Sequence, residues 1–237
     1  MVKACCDSYH TQFSEFPDLL RYHERIRADS RWERTEVKKL EVAALDKASP
    51  LFSDTTSFDP CVSRDAIEDT AENLKLAIKL RDKFFPLRDT AYKSLLDRAK
   101  ISGTALPKLS REKLADVLNS CLALHRDSAL LLIRDEKVAA AHSGDAMDYS
   151  VLEIDQLLDG LQNKMDERFP GNRFSSGYVD HSITSASWTL PGQRERLLDK
   201  YMKLLAAEGK ASMAAKLMPG IRFSTSDTAT SSAKVSA

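Results

Sequence analysis

The sequence predicts an α+β protein: a helical bundle over residues 1–125, then a mixed strand–helix region over 126–237 with a small, mainly antiparallel sheet. Three observations carry that prediction. Only 8 Gly and 8 Pro punctuate 237 residues, which suits helices better than a loop-rich all-β fold. Apolar residues before His125 recur at helical spacings of three and four. Beyond it come a compact apolar run and a stretch that alternates with period two.

Taken in order, Phe16, Leu19, Leu20, Tyr22, His23 and Ile26 form a first apolar stripe. Trp32, Val37, Leu40, Ala44 and Leu45 form a second, so 13–48 reads as two helices or one bent one, closed by Pro50. Ser63 is a good N-cap, with Asp65 in the first turn behind it. Ile67, Ala71, Leu74, Ile78 and Phe85 continue one helical face until Pro86 kinks or ends it. A further helix covers 90–100, and Ser110 caps another whose inner face is Leu114, Val117, Leu118 and Cys121.

The second region opens on Ala129–Ile133, a turn at Asp135–Lys137 and a return strand at Val138–Ala141. Ser150-Val151-Leu152-Glu153 matches a capping box for a helix carrying Leu157, Leu158, Leu161 and Met165. Strands are expected at Arg173–Asp180 and Ser182–Leu190, the latter with Ser185 and Ser187 opposite a buried Trp188. Pro191 starts a helix whose Leu197, Leu198, Tyr201, Leu204 and Leu205 are expected to face inward. Ile221–Phe223 reads as a last strand. Ala233–Ala237 is strand-like again, so the chain reads as stopping in mid-element.

Lys plus Arg equals Asp plus Glu, 35 each, so attraction to a polyanion must come from a local patch. Cys5, Cys6, Cys61 and Cys121 contain no Cys-x-x-Cys pair, which points to reduced thiols rather than zinc or a disulfide framework. His10 and His23 with Cys5 and Cys6 have the wrong order and gaps for a common zinc finger. The N-terminus lacks a signal-peptide apolar run, and no stretch is long enough to span a membrane. The expectation is a cytoplasmic protein with no cofactor and no bound metal.

Two polar loops invite chemistry. Asp180-His181-Ser182, with Ser175 and Ser176 nearby, sets a carboxylate beside an imidazole and hydroxyls, as in a hydrolase. Neighbours on a strand face opposite ways, however, and no Gly-x-Ser-x-Gly elbow is present. His142, Asp145 and Asp148 could surround a cation, though their spacing fits no standard loop. Arg222 and Asp227 bracket a polar string after the last strand. A site would require His142, Asp145, Asp180, His181, Arg222 and Asp227 to converge; turn residues and strand-edge solvation explain the same letters.

Between Lys75 and Lys113 eleven bases face only Asp82, Asp89, Asp97 and Glu112. Lys75, Lys79, Lys83, Arg88, Lys93, Arg98 and Lys100 are therefore the candidate nucleic-acid contacts, the other reading being a solvated face paired with acids elsewhere.

Arg31-Trp32-Glu33-Arg34, Phe84 to Asp89, Leu130 to Asp135 with His142-Ser143, Ser176-Gly177-Tyr178 to Trp188, and Pro219 to Asp227 together resemble a family of uncharacterised proteins carried on bacterial prophages and plasmids. The resemblance implies an accessory product of a mobile element acting in a bacterial cytoplasm, with further chain beyond residue 237. It brings no catalytic residue. The expected function is non-enzymatic binding of a macromolecule, nucleic acid or a host protein; a hydrolytic or metal-assisted enzyme using the two loops, or a virion or scaffold component, are the alternatives.

Overall fold

The computed structural model describes residues 10–228 and 233–236. They divide into two compact units that interleave along the chain. One is 26–151 with 227–228; the other is 10–25 with 152–226 and 233–236. The compositional boundary near residue 126 falls inside the first unit. Cys5 and Cys6 lie outside the described residues. Among the described residues, no helix is long and apolar enough to cross a membrane.

The chain enters on strand β1 (His10–Phe13) and helix α1 (Phe16–Ala28), of which 10–25 belong to the second unit. The first unit then runs through β2 (Ser30–Glu36), β3 (Glu41–Ala44), α2 (Pro50–Ser53), α3 (Arg64–Glu72), β4 (Leu76–Leu80), β5 (Lys83–Pro86), α4 (Asp89–Ala99), α5 (Arg111–Leu122), β6 (Ser128–Arg134) and β7 (Lys137–Ser143). Two antiparallel sheets result, in the orders β2-β6-β7 and β3-β4-β5. A parallel bridge between Leu87 and Val138 joins them side by side, and the Arg88 N–H donates to Val138 O at 3.0 Å.

The expected N-terminal helical bundle is therefore not formed: the first region is strand and helix mixed, and the protein is α+β with three antiparallel sheets. Residues 30–36, 41–44, 76–80 and 83–86, all within segments expected helical, are strands. The physical reason lies in burial. Leu76, Ala77 and Ile78 are all buried, so β4 shows no alternation, and its apolar run imitates one face of a helix. Arg81, at φ 56°, turns β4 into β5 inside the segment taken as continuous helix.

Two side chains fasten the helices to these sheets. Asn119 of α5 donates to Val42 O at 2.8 Å and accepts from Val42 N at 2.7 Å, replacing the pairing that edge strand β3 lacks. On α4, Thr90 Oγ1 donates to Ala139 O and Ser94 Oγ accepts from Ala141 N, tying the helix to β7. Leu95, Leu114, Leu118, Leu131, Val138 and Phe85 fill the core so formed.

The second unit adds α6 (Ile154–Arg168), β8 (Arg173–Asp180), β9 (Thr184–Thr189), α7 (Arg194–Ala207), α8 (Ala211–Lys216), β10 (Gly220–Thr225) and β11 (Lys234–Ser236). Its five strands form one antiparallel sheet in the order β1-β8-β9-β10-β11. Leu19 of α1 and Ile154, Leu158 and Met165 of α6 cover one face, against Val179, Ala186, Trp188 and Phe223. Trp188 is buried as its period-two pattern predicted, and its Nε1 donates to Gln162 Oε1 at 2.7 Å.

The caps at Ser63 and Ser110 form as expected, accepting from Ala66 N and Lys113 N. The Ser150 capping box does not. Helix α6 begins at Ile154 with Glu153 at its cap, and Ser150 Oγ donates back to Ala146 O. The helix after Pro191 also departs from expectation, because α7 has no buried residue.

Candidate functional site

The outward face of the five-stranded sheet follows from the alternation that buries the inner one. Since Val179, Ala186, Trp188 and Phe223 point into the core, Tyr178, Asp180, Ser185, Ser187, Arg222 and Ser224 point the other way. Strand β1 contributes His10 and Gln12, both exposed, and β11 contributes Lys234 and Ser236. Cross-strand pairs Gln12–Tyr178, Tyr178–Ser185, Ser185–Ser224 and Ser224–Lys234 run across all five strands. No apolar side chain larger than the tyrosine ring interrupts that row.

This face is organised rather than merely wet. A register shift between Phe174 and Ser176 leaves Ser175 unpaired, so two serines sit where regular pairing would offer one. Arg222 Nε donates to Ser185 Oγ at 3.0 Å, and Ser224 Oγ donates to the same oxygen at 3.3 Å. Among the described residues no carboxylate pairs with Arg222. The rings of His10 and Tyr178 stack at 6.4 Å with 22° between their planes. A shallow basin of about 550 Å³ is lined by Gln12, Phe13, Ser14, Ser175, Ser176, Gly177, Tyr178 and Arg222. A second, of about 260 Å³, shares Ser175 and Arg222 with it and reaches Ser236.

Asp180 closes one end. Burial would raise its pKa, but the N–H and hydroxyl of Ser182, the N–H of Ile183 and the Tyr178 hydroxyl outweigh that and hold it below the ordinary value. Its carboxylate thus stays charged and occupied with its own turn. The Tyr178 hydroxyl donates to it at 3.0 Å, and that bond, with burial and the carboxylate charge, raises the phenol pKa. Tyr178 consequently stays neutral, with its ring held beside the basin.

The remaining residues expected to converge are distributed between the units. His142, Asp145 and Asp227 belong to the first; Asp180, His181 and Arg222 belong to the second. Within the first unit, His142 Nε2 donates to Asp227 O, while the Asp227 carboxylate takes both Nη atoms of Arg134. Asp145 instead caps its own turn, accepting from Met147 N at 2.9 Å. Asp148 accepts from Ser143 Oγ. Among the described residues, no three His, Cys, Asp or Glu side chains are placed to hold one metal ion.

The basic run is split over β4, β5 and α4. Arg88 is 1% exposed and pairs with Asp135 at 3.0 Å, which closes it to a phosphate. Lys79 pairs with Glu41, Lys93 with Asp89 and Arg98 with Asp127. Lys83 donates to Thr56 O. Lys75 and Lys100 occupy left-handed backbone positions, the latter at the C-cap of α4. The candidate contacts thus lie on two strands, a helix and their connections, and Lys79, Arg88, Lys93 and Arg98 are each paired with a carboxylate.

Sequence reasoning named Arg222, Asp180, Ser175 and Ser176 but did not assemble them with His10, Gln12, Tyr178, Ser185, Ser187, Ser224 and Lys234. The available signal was the alternation of β9, which placed Ser185 and Ser187 opposite Trp188. Compared with protein-family models, curated proteins and solved structures, the chain shows no match.

Proposed function

We propose that this chain is a non-enzymatic accessory protein of a mobile element that binds single-stranded nucleic acid on the outer face of its five-stranded sheet. The mobile-element context rests on the resemblance of its motifs to prophage- and plasmid-borne proteins. The binding reading rests on one observation: Tyr178 and Arg222 share one open basin on the sheet face turned away from the core, together with Ser14, Ser175, Ser176 and the Gln12 amide.

The chemistry suits a single strand better than a duplex. Unstacked bases have faces for Tyr178 and His10, and each such contact contributes about 1–3 kcal/mol. Serine hydroxyls and the Gln12 amide both donate and accept, so they can meet base edges of any sequence. Arg222 and Lys234 provide for the backbone phosphates on a chain whose formal net charge is zero. With two cations such a face gives moderate affinity and a slope of log affinity against log salt of about −1.4. A duplex presents its phosphates on a convex surface and hides its base faces, so it gains little from these residues.

Fluorescence anisotropy with labelled strands of about 12 nucleotides, DNA and RNA, tests the reading against the matching duplexes. Saturable binding to single strands that weakens at least tenfold in Tyr178→Ala, with duplexes binding more weakly, supports it. Equal affinity for duplex and single strand, or indifference to Tyr178→Ala, overturns it.

A further inference from the structure

Helix α7 is the one described helix of more than eight residues that buries no side chain. With α8 it forms an excursion between β9 and β10, two strands that are direct neighbours in the sheet. Its sequence is nevertheless amphipathic. Leu197 is 48%, Tyr201 67% and Leu204 56% exposed, and Leu198 and Leu205 are half-buried. An apolar helical stripe left in water is a surface waiting for a partner.

The order of residues in the stripe says which partner. Arg194, Leu197, Leu198, Tyr201, Leu204, Leu205 and Glu208 are separated by three, one, three, three, one and three positions. At about 100° per residue they fall within an arc of about 120°. The series reads the same from both ends, leucine pairs flanking a central tyrosine, except that it begins with a cation and ends with an anion. Laid against itself head to tail, it sets leucine on leucine, Tyr201 on Tyr201, and Arg194 on Glu208 at both ends. Laid parallel, it sets Arg on Arg and Glu on Glu.

From this symmetry we infer that α7 is a homodimerisation element: a second copy of this chain docks antiparallel on it, with the two-fold axis beside Tyr201. The contact is isologous and closes on itself, so it makes dimers rather than filaments. Arg194 Nε donates to Leu217 O at 2.9 Å, which steadies the guanidinium at the root of the excursion. The existing bond of Glu208 is an exposed pair with Lys210, of a kind worth little. The outer face carries Glu195, Arg196, Asp199, Lys200 and Lys203, with Lys203 paired to Asp199. Such mixed signs suit solvent and lack the basic bias that would hold the helix on an anionic lipid surface.

Sedimentation velocity on the full chain, from about 1 to 100 µM, tests this. A reversible dimer is expected, weakened more than ~tenfold by Leu204→Glu. Arg194→Glu should weaken it too, and Arg194→Glu with Glu208→Arg should restore it, because the swapped pair is again complementary. In a background with all four native cysteines changed to serine, Tyr201→Cys should cross-link two chains and Leu197→Cys should not. A monomer at every concentration overturns the proposal. So does a dimer indifferent to Leu204→Glu, one in which Leu197→Cys cross-links itself, or a monomer that binds anionic vesicles through α7.

Discussion

The imidazole of His142 lies flat on the ring of Tyr149, with centroids 3.8 Å apart and planes 9° apart, while its Nε2 donates to Asp227 O at 2.8 Å. That geometry requires a proton on Nε2, and burial decides whether the ring carries a second one. Burial holds the His142 pKa below its ordinary value, assisted by the Arg98 charge and outweighing the bond to Asp227 O and the Asp227 charge. The native state therefore takes up this proton less readily than the unfolded chain. The resulting stability is complete above about pH 6.5 and is lost as pH falls toward the lowered native value. Urea unfolding should show the wild type losing up to about 1.4 kcal/mol per pH unit over that window from this group. His142→Phe keeps the stack, removes the titration and should flatten the profile. An unchanged pH dependence in His142→Phe would refute this assignment.

Lys137 is fully buried, and its Nζ donates to Asp69, which is 22% exposed. The two partners should differ in what their removal costs. Asp69→Ala takes a carboxylate partner away from a buried ammonium and should destabilise by about 3 kcal/mol. Lys137→Met removes the buried charge at similar volume and leaves a carboxylate that water and Asn73 Nδ2, at 3.2 Å, can still reach. Its cost should be about 1–2 kcal/mol. Thermal and urea unfolding would report the order, and equal losses would contradict it.

Gly144 follows β7 and faces the start of β6. A Cβ there would stand 2.2 Å from Ser128 Oγ and 2.7 Å from the Ser128 carbonyl carbon. The hydroxyl could rotate away, but the backbone carbon cannot move without breaking the Gly144 N–H bond to Ser128 O at 2.8 Å. Gly144→Ala is thus expected to cost about 1–3 kcal/mol, measured by urea unfolding. Gly160→Ala, on a helix where an added Cβ meets nothing within 4 Å, is the control and should be neutral or slightly stabilising.

These cases show which features the sequence could declare. Local chemistry was legible: Ser63 and Ser110 cap helices because a hydroxyl next to free N–H groups needs no distant partner. Strand β9 was legible because apolar Ala186 and Trp188 alternate with hydroxyl-bearing Ser185 and Ser187. The first region was misread because Trp32, Val37, Leu40 and Ala44 sit at intervals of five, three and four, which two short strands and an intervening turn satisfy as well as a helix does. Helix α7 was misread differently. Its periodicity was right, but amphipathicity states only that a stripe seeks cover, not that this chain supplies it. The polar sheet face was invisible for a third reason. His10 and Gln12 acquire meaning only when β1 pairs with β8, far along the chain from it.

The salt dependence of binding separates the two kinds of residue on that face. Arg222 meets phosphate in the proposed complex, so Arg222→Ala should lower the slope of log affinity against log salt by about 0.7 and weaken all sequences alike. Tyr178 contributes by stacking. Tyr178→Ala should therefore lose about 1–3 kcal/mol of binding with the slope unchanged, and Tyr178→Phe should retain most of the affinity because the ring remains. Removing the hydroxyl also frees one acceptor site on Asp180, which three donors from Ser182 and Ile183 still hold. Fold loss is thus not expected in Tyr178→Phe. Anisotropy titrations of the three variants at four salt concentrations would decide the matter: a slope that falls for Tyr178→Ala but not for Arg222→Ala would reverse the roles assigned to them.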